Sequence, residues 1–139
     1  MIRKMQDSEV DTIGKIWLDG NLEAHNFINP NYWISYLPEV KEQFNEAEIY
    51  VYDQGGIKGF AGLKEDFIAG IFVDKASRDQ GIGKQLLDYL KQSHRQLTLE
   101  VYKKNERAEK FYEANGFRIA VTGTDDENDE PEYQMIWKN

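Results

Sequence analysis

The segment from Phe72 to Leu87 has the residue types and the spacing that a phosphate site would need. An apolar run leads into a polar turn and then into an amphipathic pattern that opens with Gly81 and Gly83, which predicts a strand, a turn and a helix start. The first N–H groups of a helix have no partner within it and carry partial positive charge. Neither glycine has a Cβ to block approach, and Arg78 and Lys84 add positive charge on either side. We therefore expect an anion, most often a phosphate, to bind here.

Two better-known phosphate loops do not match this turn. A Walker loop would need glycine at position 78 and serine or threonine at 85, where the chain has Arg78 and Gln85. A dinucleotide fingerprint beginning at Gly81 would need glycine or alanine at 86, where the chain has Leu86. The remaining pattern is Arg-x-x-Gly-x-Gly, and its alternative interpretation is a tight strand-to-helix turn with no ligand.

Composition excludes several kinds of site. The chain has 139 residues, of which 40% are apolar and 13% aromatic, and this is typical of one folded domain spanning residues 1–139. Because there is no cysteine, a thiolate nucleophile and a disulfide framework are both excluded. His25 and His94 are the two histidines and lie far apart in the sequence, so we expect no metal site.

Charge and hydropathy restrict the expected partners. A net charge of −8 argues against a nucleic-acid binder and suits a cationic partner, although solubility alone would also explain it. No apolar run approaches the roughly 18 residues of a membrane span, and residues 1–4 lead into a patterned segment without a signal-peptide core. We therefore expect a cytoplasmic protein with neither a membrane nor a nucleic acid as partner.

Helical periodicity in the first third predicts two helices. The first is expected at about residues 8–19 with Gly20 as its stop, and residues 22–29 are expected to form a loop. The second segment has an aromatic face between Trp33 and Phe44, and Pro38 would kink or divide it. That aromatic face is either part of the core or the lining of a substrate groove.

Apolar and alternating runs predict a mixed α+β sheet protein. Residues 67–73 are apolar at every position, which is typical of a central strand covered on both faces. Gly70 within them is typical of a bulge or of a close approach by another backbone or a ligand. After a helix that runs to about His94, residues 97–101 would form a strand parallel to the central one. The other expected elements are an edge strand at 2–5, a hairpin of 48–53 and 57–63, a helix from Asn105 to Gly116, and a closing hairpin of 117–122 and 133–137.

Two motifs together resemble the GNAT superfamily of acyl-CoA-dependent N-acetyltransferases. They are Arg78-x-x-Gly81-x-Gly83 and Asn105-x-x-Ala108-x-x-Phe111-Tyr112-x-x-x-Gly116-Phe117. The resemblance extends over essentially the whole chain and is strongest to small single-domain bacterial members, some of which acetylate protein lysines. It implies a mostly antiparallel sheet of six to seven strands, about four helices, and one parallel strand pair that opens into a V-shaped cofactor cleft.

The resemblance also implies acetyl-CoA as the acyl donor, with no metal. In the family the turn's amides hold the pyrophosphate, the preceding strand pairs with the pantetheine arm, and the asparagine of the second motif reaches the cofactor. The first motif position is Arg78 instead of the family's frequent glutamine, a variation that the superfamily tolerates. The cofactor-binding residues that this implies are Ile71, Phe72, Val73, Arg78, Asp79, Gln80, Gly81, Ile82, Gly83, Lys84, Asn105, Ala108 and Phe111.

Acetyl transfer to an amine needs a proton acceptor and a group that stabilises the departing thiolate. The resemblance assigns the thiolate to Tyr112. Glu100 is the first candidate base, because its side chain would oppose the apolar face formed by Leu99 and Val101; alternatively it is only the polar side of a half-buried strand. Weaker candidates are Glu65, Asp66 and His25.

The acceptor slot is predicted from aromatic and acidic residues. Its candidate walls are His25, Phe27, Trp33 and Phe67. The acidic segment from Asp125 to Glu132 is either a solvated hairpin tip or a surface that attracts a lysine-rich or polyamine substrate.

Three functions are consistent with these residues. The first is an acetyl-CoA-dependent N-acetyltransferase acting on a small-molecule amine or on a protein or peptide lysine, by direct attack in a ternary complex because no cysteine can carry the acetyl group. The second is a non-catalytic CoA-binding or regulatory module, and the third is a nucleotide-phosphate binder. The protein is expected to be a monomer or a homodimer.

Overall fold

One mixed sheet and four α-helices form the chain, and the computed structural model describes residues 1–139. The strands are β1 (Ile2–Lys4), β2 (Glu48–Asp53), β3 (Ile57–Lys64), β4 (Phe67–Val73), β5 (Gln96–Tyr102), β6 (Arg118–Asp125) and β7 (Glu130–Lys138). The helices are α1 (Val10–Ala24), α2 (Pro30–Phe44), α3 (Ile82–Gln92) and α4 (Glu106–Ala114), and short 3₁₀ turns cover Asp7–Glu9 and Lys75–Ser77. The strand order is β1-β2-β3-β4-β5-β7-β6.

The one parallel pair lies in the middle of the sheet. β4 and β5 pair only at Phe67 with Thr98 and at Ile68 with Leu99, whereas all other neighbours are antiparallel. Beyond these two pairs the strands separate and leave a cleft toward their carboxyl ends. The expected mixed sheet with a single splayed parallel pair and four helices is confirmed.

Two hydrophobic cores lie on opposite faces of the sheet. On one face, α3 and α4 pack with a cluster that includes Leu86, Leu87 and Leu99. On the other face, α1 and α2 pack with a cluster that includes Ile13 and Phe60. The first cluster contains Ile68 of β4 and Leu99 of β5, so it fixes both strands beside the cleft; each such buried leucine or isoleucine contributes about 1.5–3 kcal/mol.

Phe72 explains two glycines and corrects the predicted end of the first helix. A Cβ at Gly70 would lie 2.4 Å from the Phe72 ring, and one at Gly20 would lie 2.8 Å from it. Gly20 therefore makes room for the ring within α1 and does not end the helix. The predicted stop at Gly20 and the loop from Leu22 are wrong, since α1 continues to Ala24.

The other predicted elements need smaller corrections. The predicted bulge at Gly70 is confirmed. Gly62 and Leu63 are neighbours on β3, but their partners on β4 are Gly70 and Ile68, so β4 has one extra residue at this point. α2 is one helix across Pro38, so the predicted division is wrong; Pro38 is exposed, and the helical bond that it removes lies on the solvent side.

The closing hairpin is longer than predicted. β6 extends to Asp125 and β7 begins at Glu130, so half of the acidic segment belongs to paired strands and residues 126–129 form the turn.

Candidate functional site

The start of α3 is an uncapped helix terminus. Gly81 is its N-cap with φ +79° and no side chain caps the helix. The first helical bond joins the Gln85 N–H to the Gly81 carbonyl at 3.0 Å, so the N–H groups of residues 82–84 have no helical partner. A Cβ at Gly83 would meet Phe111 only at an ordinary 3.5 Å. Packing therefore does not require glycine at 83, whereas close approach of an anion would favour it.

Two cations flank this turn, and both already have partners. Arg78 Nη1 donates to Glu23 Oε1 at 2.6 Å, and Arg78 Nε donates to the Val73 carbonyl at 3.4 Å. The guanidinium lowers the pKa of the Glu23 carboxyl, mainly through the hydrogen bond between the two groups. Lys84 Nζ lies 2.7 Å from Asp88 Oδ2, one turn further along α3. Arg78 thus ties the turn to α1 and β4, beside a cavity of about 150 Å³ that Glu23 also lines.

The edge of β4 presents backbone groups to the cleft. The Asp74 N–H donates to the Lys58 carbonyl at 2.8 Å. Antiparallel alternation then directs the backbone groups of Phe72 toward β3 and those of Ile71 and Val73 toward β5. Since β5 has diverged at this point, the backbone of Ile71 has no strand partner there. The Phe72 ring instead stacks on Phe60 with centroids 5.3 Å apart.

Tyr112 lies two turns into α4, on the same side of the sheet as α3. Its side chain is 8% exposed and packs edge-on against Phe111 and Phe117. Burial raises the pKa of its phenol above the usual range, and no hydrogen bond within the protein contributes to that shift. Two polar side-chain atoms of the protein are fully buried without a hydrogen-bond partner, and the Tyr112 hydroxyl is not one of them. Tyr112 is therefore a neutral donor whose proton is not used by the fold.

His25 lies on the opposite side, in contact with three aromatic rings. It stacks on Trp33 with ring centroids 5.3 Å apart and meets Phe27 and Tyr102 edge-on. Its Nδ1 is 3.0 Å from Asn21 Oδ1, and its Nε2 is 3.1 Å from Asn105 Nδ2. Burial lowers the pKa of the imidazole to about 4. Both ring nitrogens are therefore engaged, and the geometry leaves neither free for the proton-acceptor role that the sequence raised.

A pair of glutamates lies on the sheet face that points away from α3 and α4. Glu100 follows the last β4-paired residue of β5, and its neighbours Leu99 and Val101 are buried on the other face, as predicted. Glu132 on β7 lies directly across from Tyr102 in the register. Burial, followed by repulsion from Glu100, raises the pKa of the Glu132 carboxyl to about 7. The two carboxylates therefore share one small region of the sheet.

The acidic segment contacts the aromatic wall, a cluster formed by His25, Phe27, Tyr32, Trp33 and Tyr102. Tyr32 donates to Glu127, and Tyr102 donates to Asp125. Asn128 Nδ2 also donates to Asp125 Oδ2 at 3.1 Å. A fully solvated tip is thus the wrong description of Asp125 and Glu127, while Asp126 and Asp129 at the turn are exposed.

Positive charge is scarce on this face. Among the acids from Asp125 to Glu132, only Glu130 forms a salt bridge, with Lys104 at 3.2 Å. Glu100 forms none. Apart from Glu130, the acids of this segment and Glu100 are therefore not paired with a cation of the protein.

The fold brings some predicted acceptor-side residues together and separates another. His25, Phe27 and Trp33 form one cluster, but Phe67 lies on β4 opposite Thr98, 36% exposed and outside that cluster. Sequence reasoning missed Tyr102 and Tyr32 as part of the wall. The alternation of β5 could have indicated Tyr102, because residues two positions apart on a strand point to the same face, and Tyr102 therefore lies on the face of Glu100.

The structure contains neither a cluster of potential metal ligands nor a membrane-spanning helix. The structure gathers no three histidine or acidic side chains that could ligate a metal ion. None of the helices combines the length and the apolar character that crossing a bilayer would demand.

Comparison with known proteins places this geometry in context. A sequence profile described as an acetyltransferase (GNAT) domain matches residues 45–119. The peptidyl-lysine N-acetyltransferase YiaC of Escherichia coli (strain K12) is 39% identical over 140 residues, covering 99% of this chain and 96% of that protein. The peptidyl-lysine N-acetyltransferase YjaB of Salmonella typhimurium (strain LT2) is 30% identical, covering 92% of this chain and 88% of that protein.

Solved structures share the fold at lower identity. The solution structure of apo-form YjaB from Escherichia coli superimposes with a TM-score of 0.88 at 24% identity, covering 99% of this chain and 96% of the other. The PaiA N-acetyltransferase of Thermoplasma acidophilum, solved with coenzyme A, gives 0.81 at 18% identity, covering 100% and 98%. At these identities the likeness shows the fold.

Proposed function

The chain belongs to the GNAT acetyltransferase family, and from that premise we propose that its acceptor is the side-chain amine of a lysine in a peptide or protein. Acetyl-CoA-dependent N-acetyltransferase activity follows from the family and its relatives. The observation that carries the choice of acceptor is the unneutralised acidic face around Glu100 and Glu132. It suits a cationic chain end, and two relatives are named as peptidyl-lysine N-acetyltransferases.

We assign the donor to the α3 and α4 side of the cleft. The free N–H groups of residues 82–84 suit the pyrophosphate of CoA. The outward backbone groups of Ile71 and Val73 suit the amides of the pantetheine arm, as an added strand would. When bound, acetyl-CoA supplies an activated thioester carbonyl. The residues of the chain therefore need only position it, accept a proton and stabilise charge.

We assign proton removal to the carboxylate pair. A free lysine has a pKa near 10.4, so only about one in 2,500 is a neutral nucleophile at pH 7. Glu100, where β5 diverges from β4, accepts the ammonium proton through water, and Glu132 on the neighbouring strand β7 has a raised pKa of about 7. The raised pKa of the Glu132 carboxyl keeps this group able to take up a proton near neutral pH.

We assign thiolate stabilisation to Tyr112. A thiol with a pKa near 8.5 is more acidic than a phenol, and burial raises the pKa of the Tyr112 phenol further. Full proton transfer from Tyr112 to sulfur is therefore unfavourable. Its free O–H instead donates a hydrogen bond to the charge that develops on the sulfur.

The test is a comparison of acceptors under identical conditions. A lysine peptide is incubated with acetyl-CoA and the protein, and mass spectrometry locates the added acetyl group. A matched peptide with arginine in place of lysine keeps the charge and removes the acceptor. A polyamine and an aminoglycoside measure competing acceptor classes.

We expect acetylation of the lysine side chain and none of the arginine peptide. Faster turnover of the polyamine or the aminoglycoside would overturn the lysine assignment. CoA binding without turnover on any amine would instead support a non-catalytic module.

A further inference from the structure

A continuous chain of hydrogen bonds joins α1 to the first turn of α4 through His25. Asn21 Nδ2 donates to the Trp17 carbonyl at 2.9 Å, and Asn21 Oδ1 lies 3.0 Å from His25 Nδ1. On the other side of the ring, His25 Nε2 lies 3.1 Å from Asn105 Nδ2. Asn105 Oδ1 then accepts from the Ala108 N–H at 3.3 Å. Residues 80 or more positions apart in the sequence are thus bridged by one imidazole.

The two asparagines fix the proton of the ring from both ends. The amide nitrogen of Asn21 is used by a carbonyl, so its oxygen faces His25 and requires a proton on Nδ1. The oxygen of Asn105 is used by the helix cap, so its nitrogen faces His25 and requires a lone pair on Nε2. The only arrangement that satisfies every contact is the neutral imidazole with its proton on Nδ1.

The surroundings of the ring contain no charge that would favour an imidazolium. The groups packed against it are Trp33 from α2, Phe27 from the loop, Tyr102 from β5 and the two asparagines. Tyr102 is titratable, but its hydroxyl is occupied by Asp125. The cation that contacts this cluster is Lys104, whose Nζ lies over the Phe27 ring at 5.4 Å from its centroid. Desolvation is accordingly the one resolved cause that shifts the imidazole pKa, downward to about 4.

Asn105 is the connection between this bridge and the proposed chemistry. It is the N-cap of α4, and Tyr112 follows seven residues later, about two turns along the same face. A side chain that fixes Asn105 therefore fixes the first turn of the helix that carries the Tyr112 hydroxyl.

We propose that His25 is a positioning residue: as a permanently neutral, Nδ1-protonated bridge it holds the aromatic acceptor wall against α4 and so sets the position of Tyr112. This inference rests on the proposed acetyl transfer for its effect on rate, but the state of the ring can be tested without any substrate. In this proposal His25 affects catalysis through its contact with Asn105.

The first test reads the ring nitrogens by ¹⁵N NMR in the protein without ligands. With two histidines in the chain, a His94→Gln variant assigns the signals. We expect His25 to be neutral and protonated on Nδ1 from pH 5 upward. A protonated Nε2 or a charged ring at pH 7 would overturn the proposal, whatever the acceptor proves to be.

The second test reverses one contact. Asn105→Asp keeps a good helix cap but replaces the donor facing Nε2 by an acceptor. His25 then gains a proton at neutral pH, because Asp and Asn21 both accept from it. The bridge persists below the new pKa and is lost above it, so kcat should fall as pH rises through that value. Asn45→Asp, which adds the same charge at an exposed position after α2, should leave the pH profile of the wild type unchanged.

The third test separates positioning from mere stability. His25→Leu fills a similar volume without hydrogen bonds and should lower kcat about tenfold by misplacing Tyr112, with little change in the KM for acetyl-CoA. His25→Gln, which can accept from Asn105 and donate to Asn21, should recover most of kcat. A folded His25→Leu protein with wild-type kcat would overturn the role in catalysis. If no amine is acetylated by the wild type, the proposed function fails while the NMR result still stands.

Discussion

The two sides of the splayed strand pair are built from different kinds of group. On the α3 and α4 side, the available groups are backbone N–H and carbonyl groups near residues 71–84, with Tyr112 as the one reactive side chain. On the α1 and α2 side, the wall consists of side chains: aromatic rings around His25 and carboxylates around Glu132. In the proposed assignment, the donor side recognises acetyl-CoA mainly through backbone groups, whereas the acceptor side recognises the amine through side chains.

The difference matters because backbone sites tolerate sequence change and side-chain sites do not. A helix N-terminus binds an anion whatever side chains follow it, provided the approach is open. An aromatic and acidic wall changes its preference with each substitution. Variants on the two sides should thus separate into donor effects and acceptor effects.

Removal of the Tyr112 hydroxyl should produce the largest effect. Tyr112→Phe keeps the packing against Phe111 and Phe117 and removes the unused donor. We expect kcat to fall by about 10² to 10³, with the KM for acetyl-CoA nearly unchanged. Steady-state kinetics with the lysine peptide and calorimetry with CoA measure the two quantities. Loss of CoA binding would instead assign Tyr112 to the donor site.

The carboxylate pair should give the next largest effect, on the pH profile. With the pKa of Glu132 raised to about 7, kcat/KM should rise with pH through about 7, because a base must be unprotonated to act. Glu132→Gln should remove this rising limb of the profile of kcat/KM against pH and lower the rate by about 10². Glu100→Gln removes the group that accepts the proton, so it should lower kcat/KM by about 10² across the pH range, in addition to removing its repulsion of Glu132. A limb that stays near 7 in Glu132→Gln would contradict the assignment.

The same glutamate permits a check that involves no catalysis. A carboxyl whose pKa is raised in the folded state stabilises the protein below its unfolded pKa and loses that contribution as pH rises through the folded value. Glu132→Gln should therefore match the wild type at pH 4 and exceed its free energy of unfolding at pH 8. The expected gain is about 1 kcal/mol, since the group is partly solvated. Glu46→Gln, at an exposed position before β2, serves as the control in urea unfolding.

The contrast between sites built from local backbone features and sites built from distant side chains also explains what the sequence could and could not predict. The strand, turn and helix from Phe72 onward were predictable because glycine spacing and apolar runs act locally. Gly20 was misinterpreted because its role depends on Phe72, more than 50 residues away. Glu132 was assigned to a turn because only the register with Tyr102 shows that it lies on a sheet face beside Glu100. Contacts among distant side chains leave no local pattern.

Two glycines on the donor side allow a test with a smaller expected effect. Gly83→Ala adds a Cβ at ordinary contact distance from Phe111 and replaces a glycine within a helix, which should stabilise the protein by about 0.5–1 kcal/mol. The added methyl crowds the anion site, so the KM for acetyl-CoA should rise several-fold while the KM for the peptide stays constant. Gly81→Ala strains a positive φ and should lower stability as well as affinity. An unchanged KM for acetyl-CoA in Gly83→Ala would move the pyrophosphate away from this turn.

The exposed acids of the β6–β7 turn should give the smallest effect and test the acceptor side alone. The double variant Asp126→Asn, Asp129→Asn removes two negative charges without touching the tyrosine contacts of Asp125 and Glu127. At low ionic strength the KM for a lysine peptide should rise about two- to threefold, and the difference should vanish above about 0.3 M salt because exposed charges are screened beyond the Debye length. Glu39→Gln, Glu42→Gln removes the same charge from exposed positions on α2 and should change the KM less. If both double variants respond equally, then net charge and not the position of the turn attracts the substrate.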